Sequence, residues 1–233
     1  MQPTWLVALS WASLAVGVAS FAIVLADTYL RGHRQPVRVM EIVWLVTVLY
    51  IGLAAVRLYW NWGRPEAFAR QRQEGRPRRP HRGIVVTHVS RCGAHCALGF
   101  VVAEIALYAV RFDPAADPIW VGYAGDYLMA VTIAVLFRYF AGPGRRLTKI
   151  WHALSTVVKV ELLTITAFEV ALFAWLTLAH RVVFPEPPLR PDSPTFWFVG
   201  QIGLIAGFIA AWPTASWQIG RGLSIEPRRL SFD

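Results

Sequence analysis

Apolar residues fall in six long blocks, Trp5–Ala26, Val39–Trp60, Ile84–Val110, Ile119–Phe140, Ile150–Phe184 and Phe196–Ile219, separated by short polar stretches. Each block reaches the roughly 20 residues that a helix needs to cross a hydrocarbon core about 30 Å thick. None alternates polar and apolar residues as the strands of a membrane barrel must. Backbone amides in lipid have to bond within their own segment, which leaves helix as the remaining choice. The pattern predicts an all-α fold, a polytopic membrane protein built as a bundle of six transmembrane helices. The fifth block is over-long and is expected to tilt or to project beyond the bilayer. The first has no Lys or Arg before it and is too long for the apolar part of a signal peptide, so it reads as a span.

Composition agrees with this reading. Of 233 residues, 56% are hydrophobic and 16% charged, against roughly 25% charged in an ordinary soluble domain. Mean hydropathy is +0.45. These figures exclude both a soluble enzyme domain and a disordered chain. Eleven Trp, thirteen Phe and seven Tyr suit a chain with two interfaces to anchor. The length allows one compact unit, organised as an N-terminal helix pair (1–62), an Arg/Pro-rich linker (63–83), a four-helix core (84–222) and a tail (223–233).

The net charge of +9 is a statement about orientation. With six spans, fourteen Lys and Arg fall on one side, in Gly63–Gly83, between spans 4 and 5 and in the tail. Six (Arg31, Arg34, Arg38, Arg111, Arg181 and Arg190) fall on the other, and Arg57, Arg91 and Lys159 lie within spans. Positive loops stay inside, so both termini are expected in the cytoplasm. The stretch Gly63–Gly83 has no aromatic interleaving that would point to nucleic acid. It reads as a solvated orientation signal that touches anionic lipid. The bilayer is the expected partner, and self-association is left open.

Ionisable groups inside spans are costly, so each is a functional candidate. The richest set opens span 3: His88, Arg91, Cys92, His95 and Cys96. His88, Cys92 and Cys96 recur every four residues and share one helical face, with His95 beside them. Two thiols and two imidazoles form a soft ligand set suited to copper, zinc or an iron centre. One helix cannot readily close a coordination sphere, and His152, at similar depth on span 5, is the expected further ligand. The alternatives are two small buried hydrophobes with boundary histidines, or a redox dithiol. A disulfide is disfavoured by helix geometry and by the reducing side on which the pair falls.

The acids Asp27, Glu41, Asp126 and Glu169 are expected toward the outer half, with Glu104 on another face of span 3 from Cys92. They read either as a cation or proton path or as interhelical pairs. Lys159 and Glu161, two positions apart, point to different sides, and Lys159 is expected to meet Glu104 or Asp126. No nucleophile–base pair, phosphate loop or paired-carboxylate motif is present, so the chain is read as not an enzyme. The leading expectation is a small permease for a transition-metal cation, copper first. The alternatives are a static metal- or haem-binding assembly or electron-transfer protein, and a structural subunit without ligand.

Several stretches, in order, resemble the bacterial membrane family known as domain of unknown function 4396. They are RQPVRVMEIVWLVTVLYIG with WNWGR (Arg34–Gly52, Trp60–Arg64), SRCGAHCALGFVVAE (Ser90–Glu104), YAGDYLMA with FRYFAGP (Tyr123–Ala130, Phe137–Pro143), KVELLTITAFEVALFAW (Lys159–Trp175) and FWFVGQIGLIAGF (Phe196–Phe208). The resemblance covers nearly the whole chain, is strongest from Ser90 onward, and implies a multi-pass protein of the bacterial inner membrane. It also exposes departures. The family's S-H-C-G-A-G-C-T-L-G-D element has Arg91 here for its His, His95 for the Gly before its second Cys, and Phe100 for its Asp. A family metal site built on that His, both Cys and that Asp would lack two ligands in this chain, with His95 placed to replace one.

Overall fold

The computed structural model describes residues 3–65, 80–110, 119–141, 147–185 and 189–222. Its elements are α1 (Thr4–Tyr29), α2 (Arg38–Ile51), α3 (Leu53–Leu58) with a π-helical turn at Tyr59–Gly63, α4 (His81–Ala109), α5 (Ile119–Ala141), α6 (Leu147–Thr156), α7 (Leu162–Leu178) and α8 (Pro194–Gly220). A π-turn at Val157–Glu161 joins α6 to α7, and another at Ala179–Val183 ends the long fifth block. No strand occurs among the described residues.

Among the described residues, five helices are long and apolar enough to cross a membrane: Thr4–Tyr29, His81–Ala109, Ile119–Ala141, Ile150–Val183 and Pro194–Gly220. The block Val39–Trp60 is not among them, which corrects the expectation of six. The reason is Gly52, whose φ of 71° lies where an L side chain is strained and a helix cannot continue. The chain reverses there. Trp44 and Tyr59 stack edge to face at 5.7 Å, whereas a straight helix would separate them by about 22 Å. Gln35 Nε2 donates to the Gly63 carbonyl at 2.8 Å. Arg64 Nε donates to Asp27 Oδ2 at 2.9 Å.

Residues 38–63 are therefore a helical hairpin that returns to its starting face. Its tip, at Gly52, lies against Val16 of α1. Val16 is eleven residues from Asp27, or about 16 Å along the helix. That is about half the depth of a bilayer core. Non-helical backbone at such depth needs protein partners for its polar groups. Gln201 of α8 provides one, with Nε2 donating to the Leu49 carbonyl at 2.9 Å while its Oε1 accepts from Ser13 Oγ at 2.8 Å.

The reversal redistributes the ends of the bundle. Asp27, Glu41 and Arg64 share one end with His81, which contacts Ser216 near the close of α8 at 2.9 Å. This basic end also carries the exposed aromatics Trp60, Trp151 and Trp217. Trp5 and Trp120 are exposed at the other end, which completes two aromatic belts.

Small residues let the helices approach closely. A Cβ on Gly99 would lie 2.7 Å from the Ala130 backbone nitrogen, which brings α4 and α5 together. Gly200, Gly203 and Gly207 of α8 receive Phe100, Leu172 and Phe168. Ser193 caps α8 by accepting from the Phe196 N–H at 3.2 Å, and Pro194 opens the helix where a missing N–H costs nothing.

Candidate functional site

Polar side chains buried between α4, α5 and the π-turn ahead of α7 form a file in two groups. Nearest the basic end is Glu161, fully buried at the close of the turn Val157–Glu161. Such turns rotate side chains out of the α-helical register and often occur at functional sites. Here the turn aims the carboxylate inward while Lys159 stays exposed. Arg138 Nη2 meets Glu161 Oε1 at 2.8 Å, Arg91 Nη2 meets the same oxygen at 3.3 Å, and His95 Nδ1 lies 3.8 Å from Oε2. His95 packs edge to face on Phe137 at 4.9 Å.

His88 and Cys92 do share a face, with Nε2 and Sγ 3.9 Å apart, and His88, Cys92, His95 and Cys96 are all buried. Among the described residues, however, no three His, Cys, Asp or Glu side chains lie close enough together to hold a metal ion. His152, expected as a further ligand, is exposed. The other His88 nitrogen, Nδ1, stands 3.3 Å from the Arg91 guanidinium. That fixed positive charge opposes a cation at His88 and Cys92.

The second group lies deeper. Asp126 of α5 and Glu169 of α7 are 0% and 1% exposed; neither Asp126 oxygen has a hydrogen-bond partner among the described residues, and the Cys96 thiol stands against the Glu169 carboxyl. Glu104 and Glu169 are the acids that face Asp126 among the described residues. The hairpin reaches this level too. The Tyr50 hydroxyl lies over Gly93, beside Cys92 and Cys96, with Thr47 next to it. Thr47 Oγ1 comes within 3.4 Å of the Ser90 carbonyl.

Three expected placements change. Lys159 pairs with neither Glu104 nor Asp126, because the π-turn leaves it on the exposed side. Asp27 and Glu41 are not grouped with Asp126 and Glu169. They lie at the basic end, bonded to Arg64 and to Arg34 respectively. Sequence reasoning also missed two residues of the cluster. Arg91 reads from the sequence as a basic residue within span 3 and a departure from the family pattern, not as a partner of Glu161, and Arg138 as one of the charges between spans 4 and 5 that orient the bundle. A buried acid facing both from a third helix was the absent clue, and spacing within one helix cannot supply it.

The fold and the site define a helical integral membrane protein with buried ionisable groups between its spans. Residues 83–224 match the family described as a domain of unknown function (DUF4396), which covers more than half of the chain, and the protein belongs to that family. No curated protein and no solved structure matches it.

Proposed function

We propose that this is a small transporter of the bacterial inner membrane, with five spans and one half-depth hairpin, in which Asp126 and Glu169 exchange a proton during the transport cycle. On this reading the chain is not an enzyme, and its partners are the bilayer and a small solute. The observation that carries the proposal is the placement of two fully buried carboxyls, neither facing a cation among the described residues, at the level where the hairpin tip meets the core. A charged acid at such depth is costly. An acid without a fixed counter-charge serves a cycle in which it gains and loses a proton. Broken helices that reach mid-bilayer commonly border the binding sites of secondary transporters.

The basic end is placed in the cytoplasm in this proposal. With the hairpin returning to its own side, only Arg111, Arg181 and Arg190 belong to connections at the opposite end. The Gly220 end of α8 is then cytoplasmic and the Thr4 end of α1 external. A copper, zinc or haem cargo is left out, because the described residues bring no third ligand to Cys92 and His88.

The experiment is a pH jump applied to proteoliposomes adsorbed on a solid-supported membrane, with displaced charge as the readout. Wild type gives a transient that Asp126→Asn with Glu169→Gln abolishes. An equal transient from that double variant, or none from wild type, would sink the proposal.

A further inference from the structure

We infer that Arg91 and Arg138 form a binding site for a phosphate-type oxyanion at the basic end of the bundle, with His95 as a third donor. The inference rests on charge and donor count, and it holds whether or not the anion is carried across.

Two guanidiniums converge on one carboxylate, so the cluster keeps one positive charge after Glu161 is paired. Both approach the same oxygen, Oε1. The contacts pair the charges, yet Arg91 Nε and Arg138 Nε complete no hydrogen bond among the described residues. An uncompensated buried charge is unfavourable, and each guanidinium carries five N–H donors in a planar fork shaped for carboxylate or phosphate oxygens.

His95 is the independent observation. It is 1% exposed and neither of its ring nitrogens has a hydrogen-bond partner among the described residues. A buried polar side chain with both nitrogens open is rare unless something occupies the space before it. Two forks and an imidazole N–H, carried by α4 and α5, supply more donors than one bidentate carboxylate contact uses, and a tetrahedral oxyanion has oxygens for all three groups. Each arginine side chain is 20% exposed, so the site has an approach from outside the bundle. The remaining groups facing it, His88 and Cys92, are on the α4 side, and Glu161 is the acid that faces it among the described residues.

A lipid headgroup and a free phosphate share this chemistry, so the test has two arms, both with the full chain in phosphatidylcholine nanodiscs. In one, inorganic phosphate is titrated and the heat is recorded. In the other, phosphatidylglycerol is added to the nanodiscs and retained lipid is counted by native mass spectrometry. Saturable binding is expected in one arm, which names the source. Arg91→Gln and Arg138→Gln should each weaken it by about tenfold or more, as expected when a charged donor is lost.

Glu161→Gln removes the competing carboxylate and should strengthen binding several-fold in protein that remains monodisperse. That gain separates a binding site from a purely structural ion triad, in which loss of any member is harmful. No saturable binding in either arm, binding unchanged in both arginine variants, or weakening by Glu161→Gln would each overturn the inference.

Discussion

Gln35 and Gly63 stand 28 positions apart and are joined by a hydrogen bond, the Gln35 amide donating to the Gly63 carbonyl at 2.8 Å. This contact makes the second apolar block a hairpin and changes which loops share a side of the membrane. Most of what separates this protein from a plain six-span bundle follows from it.

The hairpin predicts a labelling pattern. On a Cys92→Ala/Cys96→Ala background, Arg34→Cys, Pro65→Cys and Arg221→Cys should react with a membrane-impermeant maleimide from one side, and Thr4→Cys from the other. A block that crossed the bilayer would put positions 34 and 65 on opposite sides, and that result would remove the hairpin from the membrane-embedded protein.

The hairpin base is held by Asp27, which is 2% exposed and accepts from Arg64 Nε at 2.9 Å and from the Tyr59 hydroxyl at 3.1 Å. Asp27→Ala leaves Arg64 facing a buried vacancy. The expected cost is about 2–4 kcal/mol, at the low side for a buried pair because Arg64 keeps some exposure. It should appear as a lower thermal midpoint in detergent. Asp27→Ala combined with Arg64→Ala should cost less than the two single changes added together. Simple additivity would mean that the pair does not tie the hairpin to α1.

Gln201 links α8 to the end of α2 through the Leu49 carbonyl at 2.9 Å. In lipid no water replaces a lost donor. Gln201→Leu should therefore lower stability by about 1–2 kcal/mol. Ser13→Ala, which leaves that bond in place, should do less harm. Equal midpoints for wild type and Gln201→Leu would show that the hairpin tip needs no outside support.

Part of the site could be read from spacing alone. His88, Cys92 and Cys96 share a face because residues four apart do so on any α-helix, and the 3.9 Å approach of His88 to Cys92 follows from that. Glu161 and Lys159 were separable for a similar reason. The partners of Glu161 were not legible, because Arg91 and Arg138 come from two other helices and their approach depends on the close α4–α5 contact at Gly99. Lys159 illustrates the opposite error, an expected cross-span pair that a single π-turn prevents.

The sequence by itself determined that this is an all-helical membrane protein of its family with one strongly basic end, because apolar run length and charge placement act locally and need no knowledge of packing. It could not determine that the second block turns back at Gly52, since a glycine inside an apolar run is compatible with either a straight or a broken helix. Contacts with α1, α4 and α8 make that choice. The tertiary structure also decided that an arginine pair, rather than a metal-ligand set, surrounds the histidines of α4, because charges on separate helices meet only once those helices are packed.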